Sequence, residues 1–127
     1  MKIVLSRKGF DSSSGGVASP ILPDGRLIPL PIPAKNDPHS YDQITINGIP
    51  LGPLVEQLTA GRIERTSRCH LDPDLETSSV PRPAGWRPAF GQIKAAQKHL
   101  EANNVGIGDL FLFYGWFRAV KEISGRW

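Results

Sequence analysis

The sequence predicts an α+β fold with a small mixed sheet, one main amphipathic helix and many loops. Two short, continuous apolar runs, at residues 2–5 and 110–113, are typical of strands buried on both faces. Between them, residues 90–103 repeat their apolar side chains at helical spacing. The 127 residues include 13 Gly and 12 Pro, about a fifth of the chain, which favours a loop-rich protein.

The first third of the chain predicts strands and turns. Lys2–Leu5 is expected to be a central buried strand, followed by a loop over residues 7–16. Pro23-Asp24-Gly25 predicts a turn, because Pro presets φ and Gly accepts positive φ. The turn should join a strand near Val17–Leu22 to one near Arg26–Pro31. Prolines in both segments remove ladder donors, so these strands should be edges or extended cover over a core.

The remaining elements follow from similar signals. Asn47-Gly48 between two apolar triplets predicts a hairpin. Gly52-Pro53, "LVEQLTA" and Gly61 predict a short helix with Pro in its first turn and Gly past its end. Residues 62–88 should form a long connection. Phe90–Asn103 is the main predicted helix, packed on the two central strands, of which Leu110–Phe113 is the second.

Charge and composition limit the setting of the protein. The net charge is +3 and the pI about 9.3, which permits an anionic partner. With a single cysteine, Cys69, no intrachain disulfide can form, and a reducing compartment is favoured. No apolar run approaches the roughly 18 residues of a membrane span. Arg7 and Lys8 interrupt the segment where a signal peptide would need apolar residues. We therefore expect a cytoplasmic protein without a membrane partner.

The loop after the first strand carries many donors and charges. Glycines allow close approach of a ligand to the backbone, and successive N–H groups can form an anion-binding nest. The pattern fits neither a Walker loop nor a dinucleotide fingerprint. The alternative is a solvated loop in which Asp11 makes a local turn. The candidate residues are Ser6, Arg7, Lys8, Asp11, Ser12, Ser13, Gly15 and Gly16.

A second polar cluster lies in "CHLDPDL". His70, Asp72 and Asp74 occupy alternate positions, so an extended backbone would place all three on one side and Cys69 on the other. An imidazole and two carboxylates can bind a divalent metal or form an acid–base set. A plain turn at Asp72-Pro73-Asp74 is the alternative.

The third cluster combines "FGQ" with "YGWFR". Gln92, expected in the first helical turn, could contact the edge of a base. Tyr114, Trp116 and Phe117 could stack on a base, with Arg118 on a phosphate. The alternative is that these aromatic side chains belong to the core.

Several motifs in order resemble one known family. "SRKGFDSSSGG", "SPILPDG", "PIP", "HLDPDL", "FGQ" and "GDLFLFYGWFR" resemble the nucleotide-modification-associated domain, the third type so named. The resemblance covers nearly the whole chain. It implies a single domain over residues 1–127 and a role in the DNA base-modification systems of bacteria and phages.

The resemblance also implies something about the end of the chain. Members of the family continue past "GWFR" into further strands, whereas this chain stops at Trp127. It therefore resembles a short or C-terminally truncated member. The strand over Gly108–Phe117 would then expose an apolar edge, through which the protein could self-associate. The sequence does not establish an oligomeric state.

Together these features predict a component of a nucleotide or DNA base-modification system. We expect it to bind a nucleotide or nucleic acid through phosphate at the opening loop, and modification of that ligand is the open part of this expectation. Ser6, Lys8, Asp11, His70 and Asp72 should converge on one cleft. The predicted binding residues are Ser6, Arg7, Lys8, Gly15, Gly16, Gln92 and Arg118, the catalytic candidates are Asp11, His70 and Asp72, and any metal would lie at His70, Asp72 and Asp74.

Two other functions remain open, and the sequence assigns no cofactor. "GDLFLFY" also resembles the strand entry of PUA-like barrels, so the protein could be a non-catalytic reader of modified bases or nucleic acid. It could instead be a structural fragment of a larger assembly. The set of His70, Asp72 and Asp74 favours an enzyme, since a reader needs no paired carboxylates. Exposure of Tyr114 and Trp116 would favour a reader.

Overall fold

The computed structural model describes residues 1–72 and 76–127, which form short strands and two helices. The predicted α+β class is confirmed, with the described strands grouped in small separate sheets. The strands are β1 (Ile3–Arg7), β2 (Ser19–Ile21), β3 (Ile32–Pro33), β4 (His39–Ser40), β5 (Thr45–Ile46), β6 (Ile49–Pro50), β7 (Arg68–His70), β8 (Leu110–Tyr114) and β9 (Phe117–Ala119), and the helices are α1 (Leu51–Leu58) and α2 (Lys94–Ala102).

Two parallel strand pairs join the beginning of the chain to its end. β1 pairs with β8, with Ile3 opposite Leu110 and Ser6 opposite Phe113. β2 pairs with β9, with Ser19 opposite Phe117. The backbone N–H of Lys8 continues the first pair by donating to the carbonyl of Tyr114 at 2.8 Å. The loop after β1 is thereby held beside the end of β8.

A three-stranded antiparallel sheet forms the middle of the molecule. β7 is its central strand and pairs with β3 on one side and β4 on the other. The sequence predicted no strand here, because the segment 62–88 shows no sustained period. β7 is only three residues long, and its middle residue, Cys69, is fully buried. The sheet therefore holds His70 on a strand that is paired along both edges.

The core lies between the middle sheet, α1 and the proline-rich segment before β3. Ile28 and Leu30 are fully buried, whereas Leu27 and Pro29 are exposed, although only an isolated bridge at Leu27 replaces the strand predicted for Arg26–Pro31. Prolines 29 and 31 lack N–H donors, so this segment packs in an extended form without a ladder. The buried apolar residues are Phe10, Leu22, Ile28, Leu30, Tyr41, Ile44, Leu51, Leu54, Val55, Cys69 and Val80.

The predicted turns and the first helix are confirmed. Asn47 and Gly48 form the two-residue turn between β5 and β6. Both have positive φ, 51° and 79°, as such a hairpin turn requires. The N–H of Gly25 donates to the carbonyl of Leu22 and closes the predicted turn. α1 contains Pro53 in its first turn, and Gly61 follows its end with φ of 78°.

The prediction that β1 and β8 are buried on both faces is wrong. Paired residues share a face, and Phe90 packs edge-on against Phe111 and Phe113 on one of them, with ring centroids 5.1 Å away in each case. On the opposite face, Leu5 is 68% exposed and Leu112 is 43% exposed. A continuous apolar run predicts that a strand forms. Burial of both faces of that strand also requires another element to pack against each face.

The prediction of a long helix packed on these strands is also wrong in extent and burial. α2 spans Lys94–Ala102 and has no buried residue. Phe90 lies outside the helix, and its ring packs on β8. The apolar stripe that remains is mainly Ala96 and Leu100, which offers little apolar area to bury. Within residues 1–72 and 76–127, no helix has both the length and the apolar character needed to cross a membrane.

Candidate functional site

An ion pair between Lys8 and Asp72 marks the candidate site. The Nζ of Lys8 donates to Oδ2 of Asp72 at 2.5 Å. The Lys8 side chain is only 9% exposed and that of Asp72 is 26% exposed. The same ammonium group lies 4.4 Å from the centroid of the Phe90 ring. Lys8 reaches this position because β1 delivers it to the end of β8, beside the segment that follows β7.

A polar cleft of about 140 Å³ lies on one side of this ion pair. It brings together the opening loop and the "CHLD" segment, which are about 60 residues apart in sequence. Of the five residues predicted to converge, Ser6 does not line the cleft and instead lies in β1 opposite Phe113. The charged or polar residues that line it are Arg7, Lys8, Asp11, Ser14, His70 and Asp72.

A larger apolar pocket of about 340 Å³ lies on the other side of the ion pair. Lys8 and Asp72 line both the pocket and the polar cleft, so the two cavities adjoin. The sequence did not predict this pocket, because its walls come from distant segments. The main apolar residues of its lining are Leu27, Pro29, Ile46, Phe113, Tyr114 and Phe117.

The opening loop is organised by the carboxylate of Asp11. Oδ1 accepts hydrogen bonds from the backbone N–H groups of Ser13 and Ser14, at 2.8 and 2.6 Å, and from the Ser13 hydroxyl. Oδ2 accepts from the Arg7 guanidinium at 2.7 Å. These hydrogen bonds, foremost that from the Ser13 side chain, lower the pKa of Asp11. Part of the predicted anion nest is therefore occupied by a carboxylate of the protein itself.

The two glycines of this loop have structural contacts. Gly15 has φ of 90°, and a Cβ at this position would overlap the ring of Phe10. Gly16 has φ of 71° and lies beside the guanidinium of Arg62. Both positions favour glycine on backbone grounds, so the presence of glycine there does not by itself indicate a ligand. Their role in phosphate binding stays a prediction.

His70 has a partner that the sequence did not indicate. Its Nδ1 lies 2.6 Å from Oδ2 of Asp37. Asp37 occurs in "NDPHS", where it looks like an ordinary turn residue, 33 positions from His70. Only the pairing of β7 with its neighbours brings them together, so no local spacing could have revealed the contact.

The predicted metal-binding set of His70, Asp72 and Asp74 lies only partly within the described residues. No three His, Cys, Asp or Glu side chains among residues 1–72 and 76–127 are grouped as metal ligands. Nδ1 of His70 contacts Asp37, and Asp72 contacts Lys8. The third predicted ligand, Asp74, lies outside the described residues.

Cys69 faces the core, on the side of β7 opposite to His70. Burial raises the pKa of its thiol to about 12, with the nearby Asp37 adding to the shift. The thiol is therefore neutral at physiological pH, and a neutral, buried thiol is a poor nucleophile. The alternation of burial along β7 matches the expectation that Cys69 and His70 point to opposite sides.

The third cluster is only partly brought to the cavities. Gln92 precedes α2 rather than lying in its first turn, and Arg118 is exposed in β9. Neither residue lines the polar cleft or the apolar pocket. Tyr114 and Trp116 are 54% and 43% exposed, so the alternative that they are core residues is wrong.

Comparison with known families identifies a match over nearly the whole chain. The sequence model of the family described as nucleotide modification associated domain 3 matches residues 2–127. No curated protein and no solved structure matches the chain.

Proposed function

The chain belongs to the nucleotide modification associated domain 3 family, and we propose that it binds a nucleotide, free or within a nucleic acid, as a component of a nucleotide-modification system. One observation carries the proposal. An apolar pocket with aromatic walls adjoins a polar cleft with basic residues, and the Lys8–Asp72 ion pair lies between them. A nucleotide has the same two parts, a flat base and a charged sugar–phosphate.

The apolar pocket suits the base. Its volume of about 340 Å³ is within the usual range of small-molecule sites. Phe113, Tyr114 and Phe117 offer ring surfaces, on which a base can stack with a gain of about 1–3 kcal/mol. Few polar groups line this pocket, so stacking and apolar burial should dominate the binding of the base there.

The polar cleft suits the phosphate. The ammonium group of Lys8 has three donors, of which Asp72 uses one. A phosphate oxygen can accept from another of these donors, and charge-assisted hydrogen bonds of this kind are stronger than neutral ones. Arg7 lines the same cleft and is exposed, although it already contacts Asp11.

The same proposal includes chemical modification of the bound nucleotide, for which the cleft offers two acid–base groups. His70 and Asp72 line the cleft and are the acid–base candidates. Asp11 is the third catalytic candidate that the sequence offers. Because its carboxylate accepts from several loop donors and from Arg7, we assign it to holding the loop beside the phosphate.

A second candidate function is a reader of nucleic acid without turnover. The exposure of Tyr114 and Trp116 favours it, because exposed aromatic rings can stack on the bases of a single strand. Arg118 is exposed on the neighbouring β9 and could contact a phosphate of that strand. A reader should prefer an oligonucleotide to a mononucleotide.

Binding of deoxynucleoside monophosphates at low salt tests the proposal. Lys8→Met removes one of the two cations that line the cleft while keeping most of the side-chain volume, and should weaken binding by roughly 10- to 150-fold. Lys121→Met is the matched control, because Lys121 is exposed and lines neither the pocket nor the cleft, while the change in net charge is the same. Equal affinities of the two variants, or no binding by the wild type, would exclude this site.

The same titration with a short single-stranded oligonucleotide separates the two candidates. Trp116→Ser should weaken oligonucleotide binding if the exposed rings form a stacking surface. It should leave mononucleotide binding unchanged, because Trp116 does not line the apolar pocket. Loss of affinity for the oligonucleotide alone would favour the reader.

A further inference from the structure

We propose that Asp37 is a positioning residue that holds a proton on Nδ1 of His70 and leaves Nε2 as a proton acceptor at the polar cleft. This inference rests on the proposed nucleotide site. The acceptor would take a hydrogen bond, and then a proton, from an O–H or N–H group of the bound nucleotide. Asp37 itself does not line the cleft and acts only through His70.

The contact between the two side chains fixes which ring nitrogen is used. An ionised carboxylate only accepts hydrogen bonds, so the atom facing it at 2.6 Å, Nδ1, must carry a proton. In a neutral imidazole the other nitrogen, Nε2, is then an acceptor. Within the described part of the chain, Nε2 makes no hydrogen bond or ion pair. His70 lines the cleft, so this nitrogen is the one left for a ligand.

The backbone around both groups is held in place. His70 ends the central strand of the middle sheet and lies opposite Ile32 of β3. Arg68, two residues before it, donates from Nη1 to the carbonyls of Asp37 and Pro38 at 3.0 and 2.9 Å. The same strand thus carries the imidazole and, through Arg68, holds the loop that carries its partner. Rigid elements of this kind hold functional groups more accurately than free loops.

The chemistry requires only a proton transfer. The lone pair of Nε2 accepts a proton from the nucleotide, which keeps the bonding electrons, and the ring becomes an imidazolium. The carboxylate of Asp37 stabilises that positive charge without taking the proton itself. The Lys8 ammonium, which is paired with Asp72, lines the same cleft and supplies a cation for the developing negative charge on the nucleotide.

An exposed ion pair without function is the competing explanation. Both side chains are partly exposed, and such pairs contribute little to stability. The experiment must therefore measure which ring nitrogen of His70 carries a proton, rather than the stability of the fold. Nitrogen-15 NMR of the three histidines, at a pH where the rings are neutral, does this. His39→Gln and His99→Gln assign the His70 signals.

The expected result is a His70 ring with a protonated Nδ1 and an unprotonated Nε2. Asp37→Ala should remove this preference, and Asp37→Asn should retain it, because the amide oxygen still accepts from Nδ1. Asp24→Ala is the matched control, since it removes a surface carboxylate paired with Arg26 and should leave the His70 signals unchanged. A wild-type ring protonated on Nε2, or no effect of Asp37→Ala, would overturn the positioning role.

Addition of deoxynucleoside monophosphates then tests the acceptor role. Saturation should move the Nε2 resonance of His70 and not those of His39 or His99. If backbone signals near Lys8 and Phe113 move while Nε2 does not, the nucleotide binds without contacting His70, and the acceptor role is wrong. If no signal moves, the proposed function fails as well, while the ring-state measurement still decides the role of Asp37.

Discussion

Gly15 shows how one residue in the opening loop serves the core rather than a ligand. Its φ is positive, and the space that a side chain would need is filled by the ring of Phe10, which is itself buried. Serine and glycine next to cations suggest an anion site in sequence. In the structure, two serine N–H groups bind Asp11, and this glycine supports Phe10. The cations Arg7 and Lys8 line the cleft, where each is also paired with a carboxylate of the protein, Asp11 and Asp72.

A pair of glycine substitutions tests this assignment. Gly25 also has positive φ, 85°, but no atom lies within 4 Å of the position of its Cβ. Gly25→Ala should therefore cost only the backbone term, about 1–2 kcal/mol. Gly15→Ala should cost about 1–3 kcal/mol more, because the Phe10 ring must move. Urea unfolding of both variants measures the difference, and equal costs would show that Phe10 yields without penalty.

The residues of the candidate site could be found in part from sequence. Lys8, Asp11, His70 and Asp72 stand out because charged or ionisable side chains directly follow or end apolar segments. Asp37 could not be found, since a turn is a sufficient explanation of Asp37-Pro38. Its function depends on strand pairing that the sequence does not show. The apolar pocket was missed for the same reason.

Among the elements, the β1–β8 pair shows that a segment can form a strand as predicted without being buried as predicted. Both apolar runs form strands as predicted, and they pair with each other in parallel. Phe90 covers one face only in part, since Phe113 is still 39% exposed, and the other face presents Leu5 and Leu112 to solvent. The other edge of β8 has no strand partner in the described part of the chain. Sequence patterns report what a segment tends to form, whereas coverage depends on where distant segments lie.

The same substitution at two leucines measures this difference in burial. Leu54 of α1 is fully buried, so Leu54→Ala should reduce the free energy of unfolding by about 2–5 kcal/mol. Leu5→Ala should change it by no more than about 0.5 kcal/mol, as is usual for an exposed surface position. Chemical denaturation of the two variants provides the comparison. A large loss at Leu5 would mean that another chain or segment covers this face in solution.

For the molecule as a whole, the Lys8–Asp72 pair is a main link between the terminal strands and the middle of the chain. The two residues are 64 positions apart, and the lysine end of the pair is largely buried. Removal of one partner of an ion pair in such surroundings strongly destabilises the protein, because the remaining charge has no partner. No local pattern could have predicted it, although both residues were candidates separately.

A double-mutant cycle measures the strength of this link. Lys8→Met and Asp72→Asn should each destabilise the protein, and the double variant should lose less than the sum. The expected coupling is about 1–3 kcal/mol. The exposed Arg26–Asp24 pair is the control and should couple by less than about 1 kcal/mol. Comparable coupling in the two cycles would show that water screens the Lys8–Asp72 pair as well.

The pairing of β1 with β8 and of β2 with β9 also imposes an order of events during synthesis. Lys2 and Asp109, whose contact flanks the first pair, are 107 positions apart. At the usual 5–20 residues per second, the first strand stays without its partner for roughly 5–20 seconds after it emerges from the ribosome. The middle sheet and α1 are complete in sequence well before that. β1, which Lys8 directly follows, is therefore among the last elements to be seated, and the cleft is held in place only once β8 has been made.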